Sequence, residues 1–213
     1  MSLKKKNLEF FATVFNTSIE ENYDLIKDIY VQIEPFKDRR TGKLSGGMKQ
    51  KLALCCALIH KPDVLFLDEP TTGVDVVSRR EFWDMLKKLK NQGLTILVST
   101  PYMDEAGLCD RIALLQNGQI LSIDTPAHIV ASFGDILYSL SSPKMYKLLV
   151  TMRAYDNMNS CFAFGDSLHL TLKDNSKKDE LYSYLKKSDF GEIEINQIMP
   201  TIEDCFIKLL KEN

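Results

Sequence analysis

Residues 44–50 read Leu44-Ser45-Gly46-Gly47-Met48-Lys49-Gln50, and residues 64–70 read Val64-Leu65-Phe66-Leu67-Asp68-Glu69-Pro70. A glycine-rich helix start followed by an apolar strand that ends in two carboxylates constrains the fold more than any other feature. Ser45 stands where an N-cap belongs, and the first N–H groups of a helix have no intrahelical partner. Together with the helix dipole they suit a phosphate, and glycine lets backbone come close to an oxygen. At the strand end, one acid can hold magnesium through water while the next orients or deprotonates an attacking water. Yet no phosphate-cradling loop of the form G-x-x-x-x-G-K-[ST] occurs in the 213 residues. Gly42-Lys43 does not supply one, because the earlier glycine is missing and Leu44 replaces the Ser/Thr.

The flanking pattern is α/β. Apolar residues at helical spacing predict helices over 7–15, 19–33, 46–58 and 78–91. Val64–Leu67 is wholly apolar, as in a central strand covered on both faces. Residues 95–100 predict another buried strand, and 103–108 a short helix. Arg111–Gln116 and Gln119–Ile123 flank Asn117-Gly118, a type I′ hairpin signal. Composition changes near Gly134. Beyond it, strands are predicted at 136–140, 161–164, 168–172 and 193–199, with helices at 143–152, 177–187 and 202–210. That order suggests a small α+β sandwich of the split-βαβ type. The organisation expected is a first domain over 1–134 (a helical part to about residue 60, then 61–134) and an accessory domain over 135–213.

Composition narrows the class. Hydrophobic residues make up 45% and charged residues 26%, with net charge −2, so charge-driven nucleic-acid binding is not expected. Cys55, Cys56, Cys109, Cys161 and Cys205 show no C-x-x-C pair and no metal-ligand spacing, and read as reduced core residues. No segment approaches the roughly 20 apolar residues of a membrane span, and no signal-peptide pattern opens the chain. A membrane, if involved, is expected to come from a partner.

These residues carry a resemblance. Leu44–Gln50 resembles the signature motif of ABC-transporter ATPase subunits. Val64–Glu69 resembles their Walker B strand, and Glu69-Pro70-Thr71-Thr72-Gly73-Val74-Asp75 resembles the join into their D-loop. The similarity covers about residues 1–130, and the remainder is similar to the C-terminal extension of ABC-2-type exporter ATPases. The resemblance implies a partial P-loop NTPase-like α/β domain, with ATP and Mg2+ as ligands. It implies Glu69 as the catalytic carboxylate, Asp68 as the magnesium residue, and Ser45, Gly46, Gly47 and Gln50 as contacts to ATP held by another subunit. Asp75 would touch that subunit and help place water. The implied partners are a second ATPase subunit in a head-to-tail dimer and membrane-spanning permease subunits, on the cytoplasmic face of the membrane.

Three departures from the family qualify the expectation. The phosphate loop, the adenine-stacking aromatic and the Q-loop have no counterpart, so an ATPase chain lacking its first part is expected, inactive alone. Pro101 stands where the family has a histidine; His60, His128 and His169 lie outside that motif and read as surface or loop residues. Lacking its usual neighbours, the strand at Val64 would expose an edge or a face. The alternatives are a non-hydrolysing regulatory subunit that donates its signature to a partner's ATP, and a soluble non-transport ABC protein.

Overall fold

The computed structural model describes residues 3–186 and 189–212. The chain forms two compact units that divide between Tyr102 and Met103. The division falls before the compositional change near Gly134, because the 103–134 segment packs on the C-terminal helix.

The first unit contains α1 (Leu3–Val14), α2 (Tyr23–Ile33), α3 (Gly46–Leu58), β1 (Val64–Asp68), α4 (Val76–Asn91) and β2 (Thr95–Ser99). Its core joins Leu8 and Ala12 of α1, Ile26, Ile29 and Ile33 of α2, Leu52, Cys55 and Cys56 of α3, Leu65 of β1, and Phe82 and Leu86 of α4. The second helix starts at Tyr23 rather than near Ile19. Residues 17–22 instead close a side-chain turn: Glu21 Oε2 accepts from Thr17 Oγ1 (2.8 Å) and from the Ser18 N–H (3.2 Å). Short polar side chains here outcompete helical backbone bonding. Asn22 then ties the turn to the end of α3 by donating to the Ile59 carbonyl at 2.8 Å.

β1 and β2 pair in parallel, Val64 opposite Thr95 through to Asp68 opposite Ser99. The expectation of a strand covered on both faces is corrected, and the expectation that it exposes a face holds. Leu65 is buried and Leu67 partly so, but Val64 and Phe66 are exposed, Phe66 by 72%. Leu97, which pairs with Phe66, is 61% exposed. The face away from the helical core is bare among the described residues. Parallel pairing is confined to these two strands; every other strand pairing among the described residues is antiparallel.

The second unit opens with α5 (Met103–Ala106), the hairpin β3 (Ile112–Gln116) and β4 (Gln119–Asp124), and α6 (Pro126–Ala131). Asn117 (φ 51°) and Gly118 (φ 75°) make the hairpin turn type I′, as the dipeptide predicts. Helix α6 was not anticipated; Thr125 caps it and Pro126 occupies its first turn. There follow β5 (Leu137–Ser141), α7 (Met145–Arg153), β6 (Met158–Phe164), β7 (Ser167–Leu172), α8 (Lys178–Lys186), β8 (Glu194–Ile198) and α9 (Ile202–Glu212). The expected helix end at Lys187 and chain end at Asn213 lie outside the described residues.

The sheet order is β6-β7-β5-β8, all antiparallel. β5 and β6 run parallel with β7 inserted between them, which is the split-βαβ arrangement expected. One sheet face packs Tyr138, Leu140, Cys161, Leu168 and Leu170 against Leu148 and Met152 of α7 and Leu181 and Leu185 of α8. A separate cluster joins Ile112, Leu114, Ile129, Phe133 and Leu137 to Ile202 and Cys205 of α9. It is this cluster that draws the hairpin and α6 into the second unit. All five cysteines are free thiols. Burial pushes Cys55 up to about 12 and Cys56 up to about 11, which keeps them protonated and unreactive.

Candidate functional site

The predicted site residues of the first unit fall into two groups joined by the 69–75 loop. The first lies at the carboxyl ends of β1 and β2, where open parallel sheets bind ligands. Asp68 ends β1 and faces Ser99 at the end of β2. The Ser99 hydroxyl donates to Asp68 Oδ1 in a short hydrogen bond. The Glu69 N–H donates to the Ser99 carbonyl at 2.9 Å, so the two strand ends are tied twice. Glu69 itself takes a positive φ of 43°. For a non-glycine residue this left-handed conformation is strained, and such strain concentrates at functional positions. Thr72 Oγ1 donates to Glu69 Oε2 at 3.1 Å and orients the carboxylate. Both acids are exposed and accessible to a ligand.

Sequence reasoning missed Ser99 and Thr72. Thr72 could have been found, since it sits three residues beyond Glu69 in a turn. Ser99 could not, because only the parallel register places it opposite Asp68, 31 residues away.

The second group is built on the start of α3. Ser45 is its N-cap, and its hydroxyl accepts from the Met48 N–H at 3.3 Å. The N–H groups of Gly46 and Gly47 have no hydrogen-bond partner among the described residues. Ser45 and Gly46 are exposed, Gly47 is buried and Gln50 is half-buried. The two glycines have an internal role that the sequence did not reveal. A Cβ on Gly47 would come within 2.8 Å of the Ser78 side chain, and one on Gly46 within 3.1 Å of the Gly73 carbonyl. Both glycines let the start of α3 pack on the 73–78 segment. Asp75 in that segment is the N-cap of α4, accepting from the Ser78 N–H at 2.9 Å. That bond first, and the Ser78 hydroxyl second, holds the Asp75 carboxyl below its ordinary value.

No hydrogen bond joins Ser45 or Gln50 to Asp68 or Glu69 among the described residues. Pro101 is exposed just past β2 and carries no donor. Beside it the Tyr102 N–H donates to Thr100 Oγ1 at 3.2 Å, and the Arg79 guanidinium lies 4.0 Å from the centre of the Tyr102 ring. The three histidines are elsewhere. His60 stacks on Phe15 (centroids 3.9 Å apart) and His128 is exposed beside Asp124. His169, expected on a surface or loop, is instead buried within β7 and hydrogen-bonded to Asp204 at 2.7 Å.

The donor set can be tested against magnesium. Among the described residues no group of three or more His, Cys, Asp or Glu could enclose a metal. Mg2+ does not require such a group: it keeps several waters and takes one or two carboxylates together with substrate phosphates. An exposed Asp68, oriented by Ser99 and with one oxygen unengaged, fits that role.

A signature-like helix start, an acidic strand end and the connecting loop on an α/β frame resemble the ATP-binding domains of ABC transporters. A family model described as ABC transporter matches residues 6–72. Over those residues the chain is homologous to the ATP-binding domain of ABC transporters.

It is 39% identical over 210 residues to the probable multidrug ABC transporter ATP-binding protein YbhF of Escherichia coli K12, covering 96% of this chain and 36% of that protein. It is also 39% identical over 131 residues to the Nod factor export ATP-binding protein I of Burkholderia lata, covering 60% of this chain and 43% of that one. The chain thus spans well under half the length of these relatives. Among solved structures, one titled as an ATP-binding subunit of an ABC transporter superposes with a TM-score of 0.54 at 26% identity, over 63% of this chain and 57% of that one. Among the described residues no helix is long and apolar enough to cross a membrane.

Proposed function

We propose that the chain supplies the signature helix and acidic strand of an ATP site in an exporter-class ABC transporter, where ATP binding and hydrolysis are coupled to transport. The observation that carries this reading is the pairing of Asp68 and Glu69 with Ser99 and Thr72 at the ends of two adjacent parallel strands. Asp68 holds water on the magnesium side. Bound Mg2+ neutralises charge on the terminal phosphates of ATP. Glu69, aimed by its strained backbone and by Thr72, orients the attacking water and accepts its proton.

Ser45, Gly46, Gly47 and Gln50 serve a different ATP, held by the phosphate loop of a second ATPase subunit. The two unbonded N–H groups of α3 and its dipole receive the γ-phosphate. Asp75, set at the start of α4 beside this helix, faces the same partner. The unit is a head-to-tail dimer docked on membrane-spanning permease subunits at the cytoplasmic face. The relatives, a probable multidrug ABC transporter ATP-binding protein and a Nod factor export ATP-binding protein, support the exporter class. Pro101 favours one variant of this reading, a regulatory subunit that donates its signature but hydrolyses little, since proline offers no proton or side-chain donor to a γ-phosphate.

The donor role can be tested with a cassette that carries its own phosphate loop. Adding this chain should tighten that cassette's ATP affinity by about five- to tenfold. Ser45→Arg, which puts bulk in the phosphate's path, should remove the gain. If affinity is indifferent both to the chain and to the substitution, the reading fails.

A further inference from the structure

The two faces of the four-stranded sheet differ in chemistry. Facing α7 and α8 it is apolar. On the other face the register sets Ser160 beside Thr171 and Phe162 beside His169, with Ser139 next in line. Although polar, this face is covered: Thr171 is 2% exposed, His169 8% and Asp204 of α9 6%. Polar groups in such positions add less stability than apolar packing would, so their presence invites a reason.

Between this face and α9 lies a cavity of about 140 Å³, lined by Ser160, Phe162, His169 and Thr171 from the sheet and by Lys208 and Lys211 from α9. Its groups are organised. Asn159 donates to Thr171 Oγ1 at 3.1 Å, and the Ser160 and Thr171 hydroxyls lie 2.8 Å apart. Asp204 Oδ1 holds His169 Nδ1 at 2.7 Å, while its other oxygen accepts from the Thr201 N–H and hydroxyl, each at 2.7 Å. The His169 ring stacks flat on Phe164, centroids 4.1 Å apart and planes 4° from parallel. The imidazole is thus locked, with Nε2 as the ring nitrogen that has no hydrogen-bond partner among the described residues.

Asp204 is engaged by His169 and Thr201, and Asp135 by Lys208 at 2.7 Å. Lys211 has no carboxylate partner among the described residues; its ammonium lies 4.4 Å from the centre of the Phe162 ring. Its ammonium can therefore receive an anionic ligand. Phe162, together with Leu137 and Ile207, supplies an apolar wall. A cavity of ~150 Å³ accommodates a benzene-sized body.

We propose that this cavity binds a small organic carboxylate, its apolar body against Phe162 and Leu137 and its carboxylate on the Lys211 ammonium and the Ser160 hydroxyl. The site lies wholly within the second unit and is independent of the nucleotide reading.

Benzoate is a suitable probe, titrated into the full 213-residue chain without nucleotide and followed by amide chemical shifts. Saturable shifts confined to residues 159–171 and 204–211 are expected, with a Kd at or below about 1 mM. Lys211→Ala should weaken binding about fivefold and Lys211→Arg should retain it. Lys211 is exposed, and unchanged shifts elsewhere would show that the fold survives. Benzyl alcohol, a neutral counterpart of similar size, should bind at least about fivefold more weakly. Absence of saturable benzoate binding would overturn the proposal. So would affinity that ignores Lys211→Ala, equal binding of benzyl alcohol, or tighter binding of inorganic phosphate than of benzoate.

Discussion

The sheets of the two units make an instructive contrast. In the second unit four strands are paired in one sheet, and its inner strand β7 is buried from Leu168 to Leu172. Helices α7 and α8 cover one face and α9 lies on the other. In the first unit two parallel strands carry helices on one face only, and Phe66 and Leu97 stand out from the other. A sheet with both faces satisfied needs nothing further. A parallel pair with an apolar bare face does, since parallel sheets are stable when covered on both sides. The second unit closes its own core, whereas the first leaves an apolar sheet face bare among the described residues.

The largest effect expected from this contrast concerns catalysis. The 213-residue chain alone, given Mg2+ and ATP, should release phosphate no faster than its Glu69→Gln variant. Joining it to a phosphate-loop segment from an ABC relative should raise hydrolysis by roughly 10³-fold or more, because that loop donates hydrogen bonds to the β- and γ-phosphates. In that joined protein Pro101→His should raise the rate further, by up to about 10²-fold, with little change in ATP affinity. Clear turnover by the isolated chain that disappears with Glu69→Gln would break the contrast, and a joined protein unresponsive to Pro101→His would show that the position needs no histidine.

Next come the cores. Leu148 is fully buried between the sheet and its helices, and Leu148→Ala should cost the second unit about 3 kcal/mol. Phe66→Ser, at the bare face, should change stability by no more than about 0.5 kcal/mol while reducing aggregation. Trp83, the single tryptophan, lies in α4, so its fluorescence in a urea titration reports on the first unit. Hydrogen exchange at β7 reports on the second. Leu148→Ala should move the β7 signal and leave the Trp83 transition in place. A shared shift would mean that the units unfold as one.

The smallest effect is electrostatic and concerns the loop between the two site groups. Asp75 has a lowered pKa because the Ser78 N–H, and then the Ser78 hydroxyl, donate to its carboxylate. A group whose pKa is lower in the folded state contributes stability above its unfolded value, near about 3.9, and loses it as pH falls through the folded value. Wild type should therefore melt above Asp75→Ala at pH 7, and the difference should shrink below about pH 4. A difference that stays constant down to about pH 3 would show that the cap does not depend on its charge.

Local signals were legible wherever they depend on neighbours in sequence. Ser45 followed by two glycines marked the start of α3, Asn117-Gly118 the hairpin turn, and the apolar run into Asp68-Glu69 the end of β1. The β-α-β-β-α-β order beyond Gly134 was readable because turn residues such as Gly165-Asp166 separate its elements. The same locality explains the errors. Residues 17–22 had helical periodicity, but a Thr17–Glu21 side-chain turn prevailed. Residues 126–131 are too short to show a period, so α6 went unseen.

What the sequence alone determined is the inventory of this protein: a signature-like helix start, an acidic strand end, a D-loop-like turn and a split-βαβ segment. Tertiary structure decided which of these groups meet. It put Ser99 against Asp68, packed Gly46 and Gly47 on the 73–78 segment, buried His169 against Asp204, and left Phe66 and Leu97 uncovered. The physical reason is range. Capping, turn and periodicity preferences act over a few residues and are written along the chain, whereas strand register and burial depend on which distant segments share a surface.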